Sequence, residues 1–196
     1  RAVELVREGK RRGIRVTAEA CPHHFSLTDE SLRTFDSNYK MNPPLRTAED
    51  VAAVIDGLKD GTIEILCTDH APHAREKKMR ELDQAPFGIV GLETLLPITV
   101  THLIEPGHLS WPEAIRKMTI NAANLLNLSN KGSLRPGADA DVTVIDPALA
   151  WTVEASQLRS KSKNTPYDGW QVRGRAHTVI VDGEVRYTLA GAAATA

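Results

Sequence analysis

Asp69, His70 and His73 fall in the stretch IEILCTDHAPH, where an apolar run ends abruptly in an acid and two histidines held apart by Ala71-Pro72. A carboxylate fixed at the end of a rigid strand and flanked by imidazoles has the chemistry to ligate Zn²⁺ and to pass a proton. The same residues serve equally as a helix cap or a surface acid on a turn, and the local sequence leaves both readings open. A second pair, His23 and His24 in CPHH, closes another alternating segment. Adjacent histidines are natural metal candidates, yet they more often bond backbone and stay structural. Spacing alone specifies no more than a candidate metal site.

The elements that must hold these residues follow from periodicity. RAVELVREGKRRG has apolar Val3, Leu5 and Val6, a basic last turn and Gly13 as a stop, which is how a helix ends. IRVTAEA alternates Ile14, Val16, Ala18 and Ala20 with polar residues and reads as a strand over 14–20. After a loop with a helical turn at 28–32, TAEDVAAVIDGLKDG is a helix. Thr47 and Asp50 cap it, Val51, Val54, Ile55 and Leu58 form its stripe, and Gly61 ends it. IEILC is apolar enough to be a buried strand. Strands alternating with helices imply a parallel sheet, and ligands of such sheets sit beyond the carboxyl ends of the strands. CPHH and TDHAPH both fall there.

Downstream, GLETLLPITVTHLI reads as an apolar helix with Pro97 near its start or at a kink. Ser110 and Glu113 form a second capping box, and Asn121 restarts a helix. After Leu128 the pattern changes to short strands, with a hairpin turning at Asp182-Gly183. The chain therefore divides at 1–128, the α/β portion, and 129–188, a small antiparallel unit, with a frayed tail over 189–196.

Lys+Arg total 24 and Asp+Glu 25, so no net field invites nucleic acid or an anionic membrane. No apolar run approaches the ~20 residues of a membrane span. Two cysteines, Cys21 and Cys67, are too few for a disulfide framework and fit a reducing, cytoplasmic compartment. The chain opens at Arg1, already inside a helical pattern, and on that basis reads as part of a longer protein.

TAEACPHHFSLTDE, YKMNPPLR, DGTIEILCTDHAPHAREKK and APFGIVGLET together resemble the C-terminal part of the class I dihydroorotases of the amidohydrolase superfamily. GSLRPGADADVTVID and SKSKNTPYDGW resemble the same family, whose motif order is kept from Arg1 to Tyr187. The resemblance implies an α/β fold: the C-terminal part of a metal-dependent hydrolase (β/α)8 TIM barrel plus a small β-sandwich subdomain. A typical barrel needs ~250 residues, and the two strands found here resemble the seventh and eighth. The family's His-x-His, its bridging carboxylate or carbamylated lysine and its later metal histidines are absent.

The resemblance also implies roles. Asp69 matches a zinc ligand that shuttles the proton. Asn42 and His73 match residues that hold the substrate, and Phe87 and Gly88 match a segment whose backbone contacts a pyrimidine ring. His23 and His24 are not zinc ligands in the family, and His70 has no assigned role. Read from sequence alone, Asn42 is also a plain turn residue before Pro43-Pro44, and Phe87 a packing residue under its loop. The implied reaction is reversible, zinc-dependent hydrolysis of L-dihydroorotate to N-carbamoyl-L-aspartate in pyrimidine synthesis, with one or two Zn²⁺ ions and the other ligands upstream. The rival readings are a hydantoinase- or allantoinase-like cyclic amidohydrolase, and a non-catalytic relative that partners aspartate carbamoyltransferase. A homodimer or a transcarbamoylase association, a small-molecule substrate and an inactive isolated chain complete the expectations.

Overall fold

The computed structural model describes residues 1–189, so the expected frayed tail lies, from residue 190 onward, outside the described residues. Helix α1 (Ala2–Arg11) carries Glu4 in its first turn and Lys10 and Arg11 in its last, each favourable to the helix dipole. Gly13, at φ 74°, turns the chain out of it. An extended segment leads into strand β1 (Glu19–Ala20), which pairs in parallel with β2 (Ile65–Leu66), Ala20 opposite Leu66. Between them come α2 (Pro22–Ser26), two 3₁₀ turns, and α3 (Ala48–Lys59). The Thr47 side chain caps α3 by accepting from the Asp50 N–H at 3.3 Å.

The alternating segment 14–20 enters the ladder only at its end, because β2 offers its backbone no partner before Glu64, whose N–H bonds the Ala18 carbonyl at 3.1 Å. The alternation itself persists: Val16, Ala18 and Ala20 are more buried than Thr17 and Glu19 between them. β2 is held from its other side by side chains. Lys117 donates to the Ile63 carbonyl at 2.7 Å and Asn121 to the Glu64 carbonyl at 2.8 Å. These come from α6 (Trp111–Met118) and α7 (Ile120–Leu125), which break apart at Thr119. Lys117 is buried, and that burial lowers its pKa.

Short helix α4 (Arg75–Lys78) follows the β2 loop, and α5 (Leu95–Thr99) continues into a π turn over Val100–Ile104. The apolar segment expected as one helix is helical without a break from Leu95 to Ile104, its last part widened to π spacing. Its widened turn carries Val100 against Gly174, where a Cβ would approach a Val100 methyl to 2.7 Å. Pro97 sits in the first turn of α5, where a missing N–H costs nothing.

The C-terminal strands β3 (Val142–Thr152), β4 (Gln171–Val181) and β5 (Glu184–Thr188) form one antiparallel sheet in that order. Asp182 and Gly183, both at positive φ, make the two-residue turn between β4 and β5. The β3–β4 register slips between Asp146 and Ala150, around Pro147, which has no N–H for the ladder. Asp146 stabilises the bulge by accepting from the Ala148 and Leu149 N–H groups at 2.9 and 3.1 Å. A single hydrophobic core joins this sheet to the helical part: Val153, Tyr167 and Val172 share a cluster with Phe25, Leu58 and Ile98. Among the described residues no helix is long and apolar enough to cross a membrane.

Candidate functional site

Beyond Leu66 the chain leaves the sheet, and Asp69 takes a left-handed conformation at φ 48°. Aspartate tolerates this region better than most residues, but such strain persists only where neighbours enforce it. The neighbours are visible. The Ala71 N–H bonds the Ile89 carbonyl at 2.8 Å, and His70 and Ile89 form a parallel bridge. His70 Nδ1 accepts the Gly91 N–H at 3.1 Å, which gives this histidine a structural task. At Gly91 a Cβ would lie 2.6 Å from the Thr68 carbonyl, so glycine is required for the loops to close. Asp69 is left exposed at the sheet's carboxyl end, with no cation within ion-pair distance among the described residues.

The other expected site residues lie on segments tied to this loop. His73 donates its backbone N–H to Asn164 Oδ1 at 3.2 Å and its Nε2–H to the Phe87 carbonyl at 2.7 Å. Its Nδ1 has no partner among the described residues. Gly88, at φ 107°, fits because a Cβ would meet that of Ala71 at 2.5 Å. The Gly88 N–H bonds the Lys40 carbonyl at 2.9 Å, joining the loop that carries Asn42. Asn42 is exposed before a cis peptide to Pro43, and its side chain makes no hydrogen bond among the described residues. Phe87 is half exposed under the Lys40 ammonium, 4.6 Å from the ring centre. Asp69, His73, Phe87 and Gly88 therefore share one pair of zipped loops, and Asn42 reaches them through a third.

Beneath this rim lie Cys21 and Cys67, whose Sγ atoms stand 3.3 Å apart, and the histidines of α2. Hydrogen bonding to Cys67 and then burial push the Cys21 thiol up. His24 Nδ1 accepts the Cys21 N–H at 3.0 Å, the backbone-bonded role expected of such a pair. His23 differs. It is 2% exposed and its Nδ1 has no hydrogen-bond partner, and burial pushes its imidazole down to about 3. Burial lowers His24 as well, against the raising influence of Asp69 and Glu19. Donor atoms of Cys21, His23 and His24 come within 4.8 Å of one another, a second group able to approach a metal ion.

Asn164 and Lys78 escaped the sequence reading. Asn164 was visible only as part of SKSKNTPYDGW, and its loop partners lie far from it in sequence. Nothing local marks it.

Residues 4–186 match the model of the amidohydrolase family. The chain is 51% identical over 186 residues to a dihydroorotase of Geobacter metallireducens, covering 95% of this chain and 43% of that protein. It is 52% identical over 184 residues to one of Pelotomaculum thermopropionicum, at 94% and 43%. Among solved structures it superposes on the L-hydantoinase (dihydropyrimidinase) of Arthrobacter aurescens with a TM-score of 0.88 at 33% identity, covering 93% of this chain and 42% of that one. The chain thus spans less than half the length of these relatives. A parallel strand pair opening onto a strained aspartate, with a family match across nearly every residue, leads to one assignment: this chain belongs to the amidohydrolase family.

Proposed function

We propose that this chain is the portion of a dihydroorotase that supplies Asp69 and the substrate loops to the reversible hydrolysis of L-dihydroorotate. The carrying observation is the Asp69 carboxylate, which follows β2 at φ 48° and has no basic side chain within ion-pair distance among the described residues. On this reading β1 and β2 are the last two strands of a (β/α)8 barrel, and β3–β5 belong to a small β-sandwich. The substrate assignment rests on relatives near 50% identity that are named dihydroorotases, against 33% for the hydantoinase. A cytoplasmic location fits the unbridged Cys21 and Cys67.

An exposed carboxylate at a strand mouth, unpaired by any base, fits a metal ligand. When bound, a zinc ion there would polarise the amide carbonyl and bring the pKa of water to about 7. Asp69 takes up the proton released in attack and returns it to the departing ring nitrogen, one carboxylate serving both transfers. Asn42 offers the N–H groups of its free amide to the anionic carboxylate of the substrate, and His73, whose Nε2–H is held by Phe87, offers Nδ1–H to it in the doubly protonated ring. The Phe87 N–H has no partner among the described residues and is the loop's unused donor.

The test is a substrate panel on the full-length protein. Turnover of L-dihydroorotate should exceed that of hydantoin and allantoin by orders of magnitude. Preference for hydantoin would overturn the assignment in favour of the hydantoinase-like reading.

A further inference from the structure

We infer that Lys78 and Asn164 form a positioning clamp that pins Gly88 and so presents the Phe87 backbone to the substrate ring; the inference rests on the function proposed above. Lys78, on α4, is 5% exposed, yet among the described residues no carboxylate lies within ion-pair distance of it. Its ammonium donates to the carbonyls of Ser37 at 2.7 Å, Pro86 at 3.1 Å and Gly88 at 3.1 Å. All three protons are spent on backbone, from two loops. Burying an ammonium is costly: burial chiefly, with Lys40 adding to it, draws its pKa down to about 8 against the raising influence of Asp36. An apolar side chain would fill the same space without that cost. What the ammonium adds is a fixed position for three carbonyls at once.

Asn164, also 5% exposed, closes the clamp from the opposite direction. Its Nδ2 donates to the Ala71 carbonyl at 2.9 Å and the Gly88 carbonyl at 3.1 Å, while its Oδ1 accepts from His73 N–H at 3.2 Å. Its own carbonyl accepts from Val90 N–H at 2.9 Å. Both donors and the acceptor of the amide are used, which fixes its orientation. The Gly88 carbonyl, with two lone pairs, is saturated by Lys78 and Asn164, and the Gly88 N–H is held by Lys40. Gly88 is therefore a fixed point rather than a contact. The adjacent Phe87 keeps an unused N–H, and its carbonyl already orients His73. Neither Lys78 nor Asn164 needs to touch substrate to set where Phe87 and His73 stand.

The test uses Lys78→Met and Asn164→Ala in the full-length protein, with steady-state kinetics on L-dihydroorotate and backbone hydrogen exchange over residues 86–91. The clamp predicts KM raised about tenfold with kcat within about threefold, the split expected when positioning of bound substrate is lost. It also predicts faster exchange across 86–91 at unchanged metal content. A purely structural role would lower the active fraction and leave KM alone. Should Lys78→Met fail to fold, Asn164→Asp, of equal size, carries the test alone by setting a carboxylate against two carbonyls. Unchanged KM or unchanged exchange in a folded variant overturns the clamp. If the unmodified protein turns over no cyclic amide, the functional reading fails by itself, and the exchange arm still decides whether Gly88 is pinned.

Discussion

Asp69 was legible by type and position, but its left-handed backbone was not. The sequence TDHAP contains no glycine at that point, and the strain is imposed by Ile89 and Gly91, twenty residues or more away. His70 shows the converse. It looked as reactive as its neighbours, and the structure spends its Nδ1 on a backbone N–H. His73 keeps its Nδ1 free and is aimed by Phe87 and Asn164. Substituting His73→Ala is therefore expected to raise KM for the anionic substrate about tenfold or more, with a smaller change in kcat. An unchanged KM in steady-state assays would count against its role.

His23 carries a second consequence at this scale. Its imidazole sits near 3 in the fold against an ordinary 6.5, so the unfolded chain takes up the proton first. Stability is then lost as pH falls from about 6.5 toward 3, with His24 and His102, also lowered by burial, contributing in the same direction. In the full-length protein, urea midpoints at pH 7 and pH 5 should differ less for His23→Gln than for the unsubstituted protein. Equal differences would show that another group dominates.

At the scale of elements, caps were the most readable feature, since a few adjacent residues decide them. Thr47 before α3 and the Ser110–Glu113 box before α6 stand where the residue types placed them. Removing the Thr47 hydroxyl in Thr47→Ala should cost about 1 kcal/mol in denaturant unfolding without touching catalysis. No measurable loss would mean that α3 is held by its buried face alone. Strand lengths were less readable. The alternation reports burial at Val16, Ala18 and Ala20 but not at exposed Ile14, and only Glu19 and Ala20 pair, because ladders need a facing strand that no local pattern supplies. The π turn at Val100–Ile104 was hidden for a similar reason, being fitted to Gly174 in the distant β4.

Over the whole molecule, α7 is followed by the antiparallel strands β3–β5, and the core that joins them to the helices could not be read from the change of pattern after Leu128. Tyr167, fully buried, bonds Ser26 of α2 at 3.0 Å and ties the sheet to the rim. Leu5, Ile14, Phe35 and Leu126 are exposed, and the two-stranded parallel pair has no further strand among the described residues. Apolar surface of this kind calls for cover. Expressed alone, the 196-residue chain should be poorly soluble and inactive. A cooperative unfolding transition of the isolated chain would contradict this. The most direct measurement is turnover of L-dihydroorotate by the full-length protein carrying Asp69→Asn. The account predicts a loss of at least about a hundredfold with an unchanged melting temperature. Retention of about a tenth or more of the natural rate would contradict the proton-shuttle role.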